Sequence, residues 1–224
     1  MKMFLTHAAN LRLKPLMTAM MITLLALGLG AGAALAQVKT WSAKDAKGRA
    51  VNTANFSGKV QVITISNPDY KYKKATDKTL EFMAGKFGKA DDVIQLTLVD
   101  LRSMGWAKYK AADVSGELDK RMRKAHERVA GRIAKALGYK GNVPGDVSSK
   151  IDKGLHLIPT RDGALVGHYN SAWSENTTSN NLIIVVVDKS GKKHSKHWAI
   201  KKNASDGDIQ SALDEIAKVV ESYR

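Results

Sequence analysis

The sequence predicts an α/β fold with a central sheet that is covered on both faces. Residues 60–66 read "VQVITIS", with apolar side chains such as Val60 on one side of an extended chain and Ile63 on the other. Residues 182–187 read "LIIVVV", a composition that favours a strand buried on both faces. Segments with the apolar spacing of amphipathic helices separate and follow these two strands, and such helices cover sheets of this kind.

The N-terminal half of the predicted domain alternates strands with a helix. Residues 38–52 alternate apolar and polar side chains around "DAKG", which predicts a short hairpin. Residues 75–88 carry apolar side chains at steps of three and four, which predicts a helix. Residues 92–100, "DVIQLTLVD", are rich in β-forming residues and predict the next strand. The order is therefore strand, helix, strand.

A long amphipathic helix is predicted from Ser115 to Leu137, where apolar residues recur every three or four positions. Basic side chains lie largely outside this apolar stripe: Lys120, Arg121, Lys124, Arg128 and Arg132. A solvated outer face is the simpler interpretation, and a binding site for a polyanion is the alternative.

The C-terminal half completes the predicted sheet. Residues 155–169, "LHLIPTRDGALVGHY", read as two extended pieces around a turn, and residues 188–191, "DKSG", predict a hairpin into a strand over residues 192–200. Residues 205–223 predict a closing helix that Ser205 caps. The predicted buried stripe of that helix is Ile209, Leu213, Ile216 and Val220.

The first 36 residues have the layout of an export signal, with three basic side chains, no acidic one and a long apolar stretch that ends in small residues. Cleavage between Ala36 and Gln37 would leave 188 residues, enough for one domain with a substantial core. An uncleaved membrane anchor is the alternative interpretation. No second apolar segment approaches membrane-spanning length. We therefore expect a periplasmic protein with a single domain over residues 37–224.

The predicted mature chain is strongly basic, with 33 Lys and Arg against 21 Asp and Glu, a net charge of +12. This charge favours contact with anionic surfaces such as lipid head groups, acidic polymers or acidic proteins. Nucleic acid belongs to the same class but is not favoured over the others. The partner expected from the sequence is an anionic molecule or a protein of the cell envelope. A surface that is merely soluble and charged is the simpler alternative.

Several kinds of chemistry have no support in the sequence. The chain contains no cysteine, which excludes disulfides, thiolate catalysis and thiolate metal ligation. It has neither a "G-x-S-x-G" elbow nor a phosphate-binding "G-x-x-x-x-G-K-[ST]" loop. His194 and His197 stand three apart in a predicted strand and should point to opposite faces, whereas His156 and His168 could approach each other across a turn. No catalytic, cofactor-binding or metal-ligating residue is predicted.

Four stretches of the chain resemble the thioredoxin-like superfamily, especially its peroxiredoxin-type branch. They are "FSGKVQVITIS", "LIPTRDGALVGHY", "LIIVVVDKSGKKHSKHW" and the closing amphipathic helix. The sequence looks most similar to small periplasmic members that lack cysteine. The resemblance implies a three-layer sandwich: a central mixed sheet with helices on both faces. Residues 115–137 would form one inserted amphipathic helix.

The reactive positions that the resemblance implies are occupied by other residues. Asp69 and Tyr72 stand where thioredoxins carry the Cys-x-x-Cys pair. In a peroxiredoxin alignment Pro68 matches the loop proline, but Ala75 falls near the reactive cysteine. Asn180 or Asn181 takes the place of the cis-proline that precedes the later strand in this superfamily. The resemblance therefore implies the scaffold without its thiol chemistry.

The loop after the first long strand is the predicted partner-binding segment. It reads "NPDYKYKKATDK" and interleaves tyrosines with lysines, a pattern suited to anionic ligands. The candidate residues are Asp69, Tyr70, Lys71, Tyr72, Lys73 and Lys74. A purely structural loop beside a helix start is the alternative.

Three functional hypotheses follow. The leading one is a redox-inactive, thioredoxin-like periplasmic binding or accessory protein with a basic surface. The first alternative is an enzyme of unrecognised, non-thiol chemistry in the cleft near Asp69 and Tyr72. The second is a non-specific binder of polyanions or membrane surfaces, whose affinity should fall steeply with added salt.

The absence of thiols gives a direct prediction. The purified protein should reduce neither peroxide nor the disulfides of insulin, because no side chain can form the required thiolate. Both reactions are followed spectrophotometrically. Turnover in either assay, once contaminating enzymes have been excluded by mass spectrometry, would contradict the prediction.

Overall fold

The computed structural model describes residues 40–68, 73–161 and 163–224, which belong to the unit Gln37–Arg224. The strands are β1 (Ser42–Lys44), β2 (Ala50–Asn52), β3 (Val60–Ser66), β4 (Val93–Asp100), β5 (Leu155–Thr160), β6 (Asn181–Val187) and β7 (Trp198–Lys201). The helices are α1 (Lys73–Phe87), α2 (Trp106–Val114), α3 (Glu117–Ala136), α4 (Gly145–Gly154), α5 (Ala164–Tyr169), α6 (Glu175–Asn180) and α7 (Asp206–Tyr223). Short 3₁₀ turns cover Thr53–Phe56 and Arg102–Met104.

Five strands form the central sheet in the order β5-β4-β3-β6-β7. The β3–β4 and β4–β5 pairs are parallel, whereas β6 runs antiparallel to both β3 and β7. The two long apolar runs are direct neighbours, since Gln61 lies opposite Val187 and Ile65 opposite Ile183. The strand order, the mixed pairing and the helices on both faces confirm the predicted three-layer α/β fold of thioredoxin-like type.

One face of the sheet is covered by α1 and α7. Val60 and Val62 of β3 pack there together with alternate residues of β6. The helices contribute Met83, Phe87, Ile209, Leu213, Ile216 and Val220 to the same cluster. All four residues of the predicted α7 stripe are therefore buried. Ser205 caps α7 in a reciprocal capping box with Asp208, which confirms the predicted start of that helix.

The opposite face is covered by the N-terminal hairpin, the 3₁₀ turn at Thr53–Phe56 and α5. Ile63 and Ile65 point to this side, which confirms the predicted alternation of β3. Trp41 and Tyr169 close the layer, with Trp41 Nε1 donating to the Tyr169 hydroxyl at 3.0 Å. Burial raises the pKa of Tyr169 well above its ordinary value, so this hydroxyl stays protonated.

A third cluster packs α3 and α4 beside the edge strand β5. Leu118, Met122 and Ile133 of α3 meet Leu155 and Leu157 of β5. The predicted hairpin forms as β1 and β2, and its turn covers this edge because Ala46 N donates to Leu157 O at 2.7 Å. The inserted amphipathic helix is therefore part of the core through its apolar stripe.

Two sequence-based predictions are wrong. Residues 164–169 are helical rather than extended: Gly163 turns the chain at φ +74°, and the buried residues Val166 and Tyr169 are three apart, a helical spacing. The strand predicted over residues 192–200 is regular only from Trp198, although the predicted hairpin turn forms and Lys193 makes an isolated antiparallel bridge to Val187. Helices α2, α4 and α6 were not predicted.

We expect Ile63→Ala to lower the free energy of unfolding by about 2–5 kcal/mol, because the side chain is fully buried and its loss leaves a cavity. Val114→Ala is the control, since Val114 is 86% exposed and should change stability by less than about 0.5 kcal/mol. Urea unfolding measures both. Equal effects of the two substitutions would contradict the assigned core.

Candidate functional site

The carboxyl ends of the parallel strands carry buried polar side chains. Asn67 follows β3, Asp100 ends β4 and Thr160 ends β5, and all three side chains are buried. Ser103 donates to Asn67 Oδ1 at 2.7 Å. Ligand sites of open α/β sheets occur outside this edge, so these residues mark the first place to look for function.

Asp100 is the centre of a hydrogen-bond network at this edge. Arg102 Nε donates to Asp100 Oδ1 at 2.9 Å and Arg102 Nη2 donates to Oδ2 at 2.7 Å, a bidentate pairing. Thr178 Oγ1 donates to Oδ2 at 2.6 Å, and the backbone N–H of Arg102 donates to Oδ1 at 3.2 Å. The guanidinium fills the space beside Gly163, where a Cβ atom would lie 2.6 Å from Arg102 Nε.

This network keeps Asp100 ionised. Burial alone would raise the pKa of Asp100, but the hydrogen bonds from Arg102 and Thr178 outweigh burial and hold that pKa below its ordinary value. Both carboxylate oxygens already accept hydrogen bonds, so Asp100 is poorly placed to take a proton from a substrate. Its role is to join β4 to α6 and to the turn after β4.

A second ionic cluster fastens the N-terminal hairpin to the sheet edge. Asp45 accepts from Arg49 Nε at 2.6 Å and lies 3.1 Å from His156 Nδ1. Burial would raise the pKa of Asp45, but the hydrogen bonds from His156 and Arg49 hold it below its ordinary value. Burial lowers the pKa of His156 more than its hydrogen bond to Asp45 raises it. The cluster is structural, because it joins the β1–β2 turn to β5 and α4.

The predicted partner-binding loop is described only in part. Asp69, Tyr70, Lys71 and Tyr72 lie outside the described residues, and so does the side chain of Lys73. Lys74 Nζ lies 2.6 Å from Asp206 Oδ1, at the first turn of α7. Lys78 reaches the same oxygen at 3.2 Å, so this end of α1 is joined to α7. A role of the loop in binding stays a proposal.

The histidines have separate environments. His194 Nδ1 lies 2.6 Å from the Tyr223 hydroxyl, and the His194 ring stacks on Trp198. His197 meets the edge of Trp173 at a centroid distance of 4.9 Å. Within the described residues, no three His, Asp or Glu side chains are grouped in a way that could hold a metal ion.

The outer side of α3 carries an uncompensated basic surface. Lys120, Arg123, Lys124 and Arg128 are exposed, and within the described part of the chain none of them forms an ion pair. We call these four residues the basic face of α3. Two other predicted members are compensated, since Arg121 pairs with Glu117 at 2.9 Å and Arg132 pairs with Asp77 of α1.

Arg123 was missed by the sequence reading, although its place outside the apolar stripe of α3 could have identified it. Its side chain also lines a cavity of about 630 Å³ together with Lys44, Thr160 and Arg161. The basic face therefore reaches toward the carboxyl end of β5. In the described ranges no helix is both long and apolar enough to cross a membrane.

Comparison with known proteins gives structural likeness only. No protein-family model matches the chain, and no curated protein sequence matches it. One similar structure is the exposed lipoprotein thioredoxin Etrx1 of Streptococcus pneumoniae, with 15% identity, 79% of this chain and 98% of that chain covered, and a TM-score of 0.41.

A second is a secreted disulfide oxidoreductase of Mycobacterium tuberculosis homologous to DsbE of E. coli, with 12% identity, 83% and 97% coverage and a TM-score of 0.43. A third is BsSco, of the Sco family of cytochrome c oxidase assembly proteins, with 11% identity, 86% and 95% coverage and a TM-score of 0.49. All three TM-scores lie below 0.5, so the fold assignment rests on the strand order and pairing described above.

Replacing Asp100 should show how much its hydrogen-bond network contributes to the stability of the fold. We expect Asp100→Asn to lower the free energy of unfolding at pH 7 by about 1.5–3 kcal/mol, the contribution of hydrogen bonds to a charged group. Because the folded pKa of Asp100 is depressed, its stabilisation is present above the unfolded pKa and is lost as the pH falls through the folded one. The difference between variant and wild type should therefore shrink below about pH 4.

Urea unfolding at pH 7 and pH 3 measures this difference. Asp91→Asn is the control, since the side chain of Asp91 is 88% exposed and its ion pair with Lys150 is long, at 3.9 Å. A penalty for Asp100→Asn that stays constant across this pH range would contradict the assigned ionisation.

Proposed function

We propose that this chain is a redox-inactive, thioredoxin-like accessory protein of the bacterial periplasm that binds an anionic partner through the basic face of α3. The scaffold is of a thioredoxin-like type, and the chain has no cysteine with which to carry out thiol exchange. Binding is then the activity that the remaining features support best. The fold by itself supplies no function, so the proposal depends on this surface.

The observation that carries the proposal is the geometry of α3. Leu118, Met122 and Ile133 anchor the helix in the core, which fixes the direction of its opposite side. Four exposed cations project from that side over less than three turns, and among the described residues none of them forms an ion pair, although the exposed Glu127 lies between Lys124 and Arg128 in the sequence. Other described cations also form no ion pair, and these four are distinguished by being clustered on one side of a single helix, where they can act together on another molecule.

The proposed compartment is supported by the N-terminal sequence. The first 36 residues combine basic, apolar and small-residue regions in the order of an export signal, with cleavage proposed after Ala36. A periplasmic protein meets anionic lipid head groups as well as acidic proteins. An acidic protein is the proposed partner, and the membrane surface is the alternative that the experiment below separates.

Charge reversal on the basic face should remove binding without unfolding the protein. We expect Lys120→Glu, Lys124→Glu and Arg128→Glu together to lower recovery of envelope proteins with the tagged protein at least about tenfold, since each cation near an anionic surface contributes about 1 kcal/mol. The melting temperature should change little, because these exposed side chains form no ion pairs. Co-purification followed by quantitative mass spectrometry is the measurement.

The matched control reverses three exposed lysines elsewhere, Lys89→Glu, Lys202→Glu and Lys218→Glu, which gives the same net charge. Equal loss of recovery in both triple variants would show that net charge acts rather than the face, and would contradict the proposal. Sedimentation with phosphatidylglycerol vesicles tests the membrane alternative. Salt-sensitive binding to these vesicles without a co-purified protein would favour a membrane-surface binder.

A further inference from the structure

A cavity of about 630 Å³ lies at the carboxyl end of β5, between the turn of the N-terminal hairpin and the first two turns of α3. This volume is within the range of sites for small organic ligands. Ligands of open α/β sheets bind outside the carboxyl ends of the strands, so the cavity is at the favoured edge. The charged side chains in its wall are Lys44, Asp45, Lys47, Asp119, Arg123 and Arg161.

A buried hydroxyl group in the cavity wall lacks a hydrogen-bond partner. Thr160 lines the cavity and is 2% exposed, and its Oγ1 atom makes no hydrogen bond with any described residue. The backbone of Thr160 is held in place, because its carbonyl oxygen accepts from Leu101 N at 2.9 Å. Buried polar atoms are rarely left unpaired, since losing water without gaining another partner is unfavourable. A ligand in this cavity would supply the missing partner.

Half of the charged side chains in the wall are held in ion pairs with residues outside it. These pairs are Asp45 with Arg49 at 2.6 Å, Lys47 with Asp152 at 2.9 Å and Arg161 with Asp113 at 2.9 Å. Because each of these charges has an opposite charge beside it, together they add little net attraction for a ligand.

The other three charged side chains form no ion pair with any described residue. They are Lys44 of β1 and Asp119 and Arg123 of α3. Two uncompensated cations and one uncompensated carboxylate therefore line the same cavity, a net charge of +1. A ligand with one negative charge matches this balance. A phosphate dianion fits less well, because the Asp119 carboxylate would repel its second charge.

We propose that the cavity binds a small hydroxylated carboxylate of the sugar-acid class. The carboxylate of the ligand pairs with Lys44 and Arg123, and its hydroxyl groups form hydrogen bonds with Asp119 and Thr160. An acid without hydroxyl groups fits less well, because it would desolvate Asp119 and leave Thr160 unpaired. The inference adds a small-molecule site to the proposed contact with an envelope protein, and only Arg123 belongs to both.

Isothermal titration calorimetry of the full-length protein tests both parts of the ligand. The probes are gluconate, glucuronate and galacturonate, each compared with the neutral sugar or polyol that lacks its carboxylate: sorbitol, glucose and galactose. Hexanoate is the acid of the same chain length without hydroxyl groups. We expect at least one sugar acid to bind, and its neutral counterpart and hexanoate to bind at least about tenfold more weakly, because each loses hydrogen bonds to charged or buried groups.

Replacing the unpaired hydroxyl separates a role in binding from a role in folding. Thr160→Val should weaken binding of the sugar acid at least about tenfold without lowering the melting temperature, since an unpaired buried hydroxyl does not stabilise the fold. Thr79→Val is the matched control: Thr79 is 3% exposed, its Oγ1 also lacks a described partner, and it lies in α1 outside the cavity wall. This control should keep wild-type affinity.

A second pair of variants tests the uncompensated charge. Lys44→Gln should weaken binding at least about threefold, a modest effect because the side chain is exposed. Lys89→Gln removes the same charge from an exposed lysine outside the cavity wall and should bind like the wild type. Lys44→Gln changes only an exposed side chain, so it tests the site independently of how Thr160→Val folds.

The proposal is overturned if none of the three sugar acids binds at millimolar concentration, or if a neutral counterpart or hexanoate binds as tightly as the acid. It is also overturned if Thr160→Val and Lys44→Gln keep wild-type affinity or lose no more than their controls. These variants leave all four residues of the basic face unchanged, so a failure here is distinct from a failure to recover an envelope protein.

Discussion

The structure depends on the direct pairing of two strands that are apolar on both faces. β3 and β6 lie side by side at the centre of the sheet, with Ile63 opposite Val185 and both fully buried. Each strand must be covered on two sides, since exposing either face would leave several large aliphatic side chains in water. This requirement accounts for α1 and α7 on one face and the hairpin, the first 3₁₀ turn and α5 on the other.

Local patterns predicted the parts of the fold that local interactions determine. β3, β6 and the capped helix α7 follow from strand composition, helical spacing and a capping residue within a few positions. Helix α5 was missed because six residues contain fewer than two turns, too few for a period to be recognised. The Asp100 network could not be predicted, since Thr178 is 78 positions away in the sequence and only the folded sheet brings the two together.

The charged side chains at the carboxyl edge of the sheet are paired with one another, whereas those on the basic face of α3 are not. At the carboxyl edge of the sheet, Asp100 and Arg102 satisfy each other, and this network favours stability over reactivity. On the outer side of α3, the four cations of the basic face form no ion pair with any described residue, and we propose that they contact another molecule. The sequence identified the basic helix but not which of its cations are compensated, because Asp77 lies on a different helix from its partner Arg132. The loop at residues 69–74 keeps its place as a second proposed contact.

The most direct test of the account is site-specific photo-cross-linking in living cells. A photoreactive residue at position 124, on the basic face of α3, is compared with one at position 89, an exposed lysine outside it. We expect a discrete protein adduct from position 124 that is absent from position 89, and absent when the photoreactive residue at position 124 is combined with Lys120→Glu and Arg128→Glu. The same adducts from both positions, or none from position 124, would contradict the claim that α3 is the binding surface.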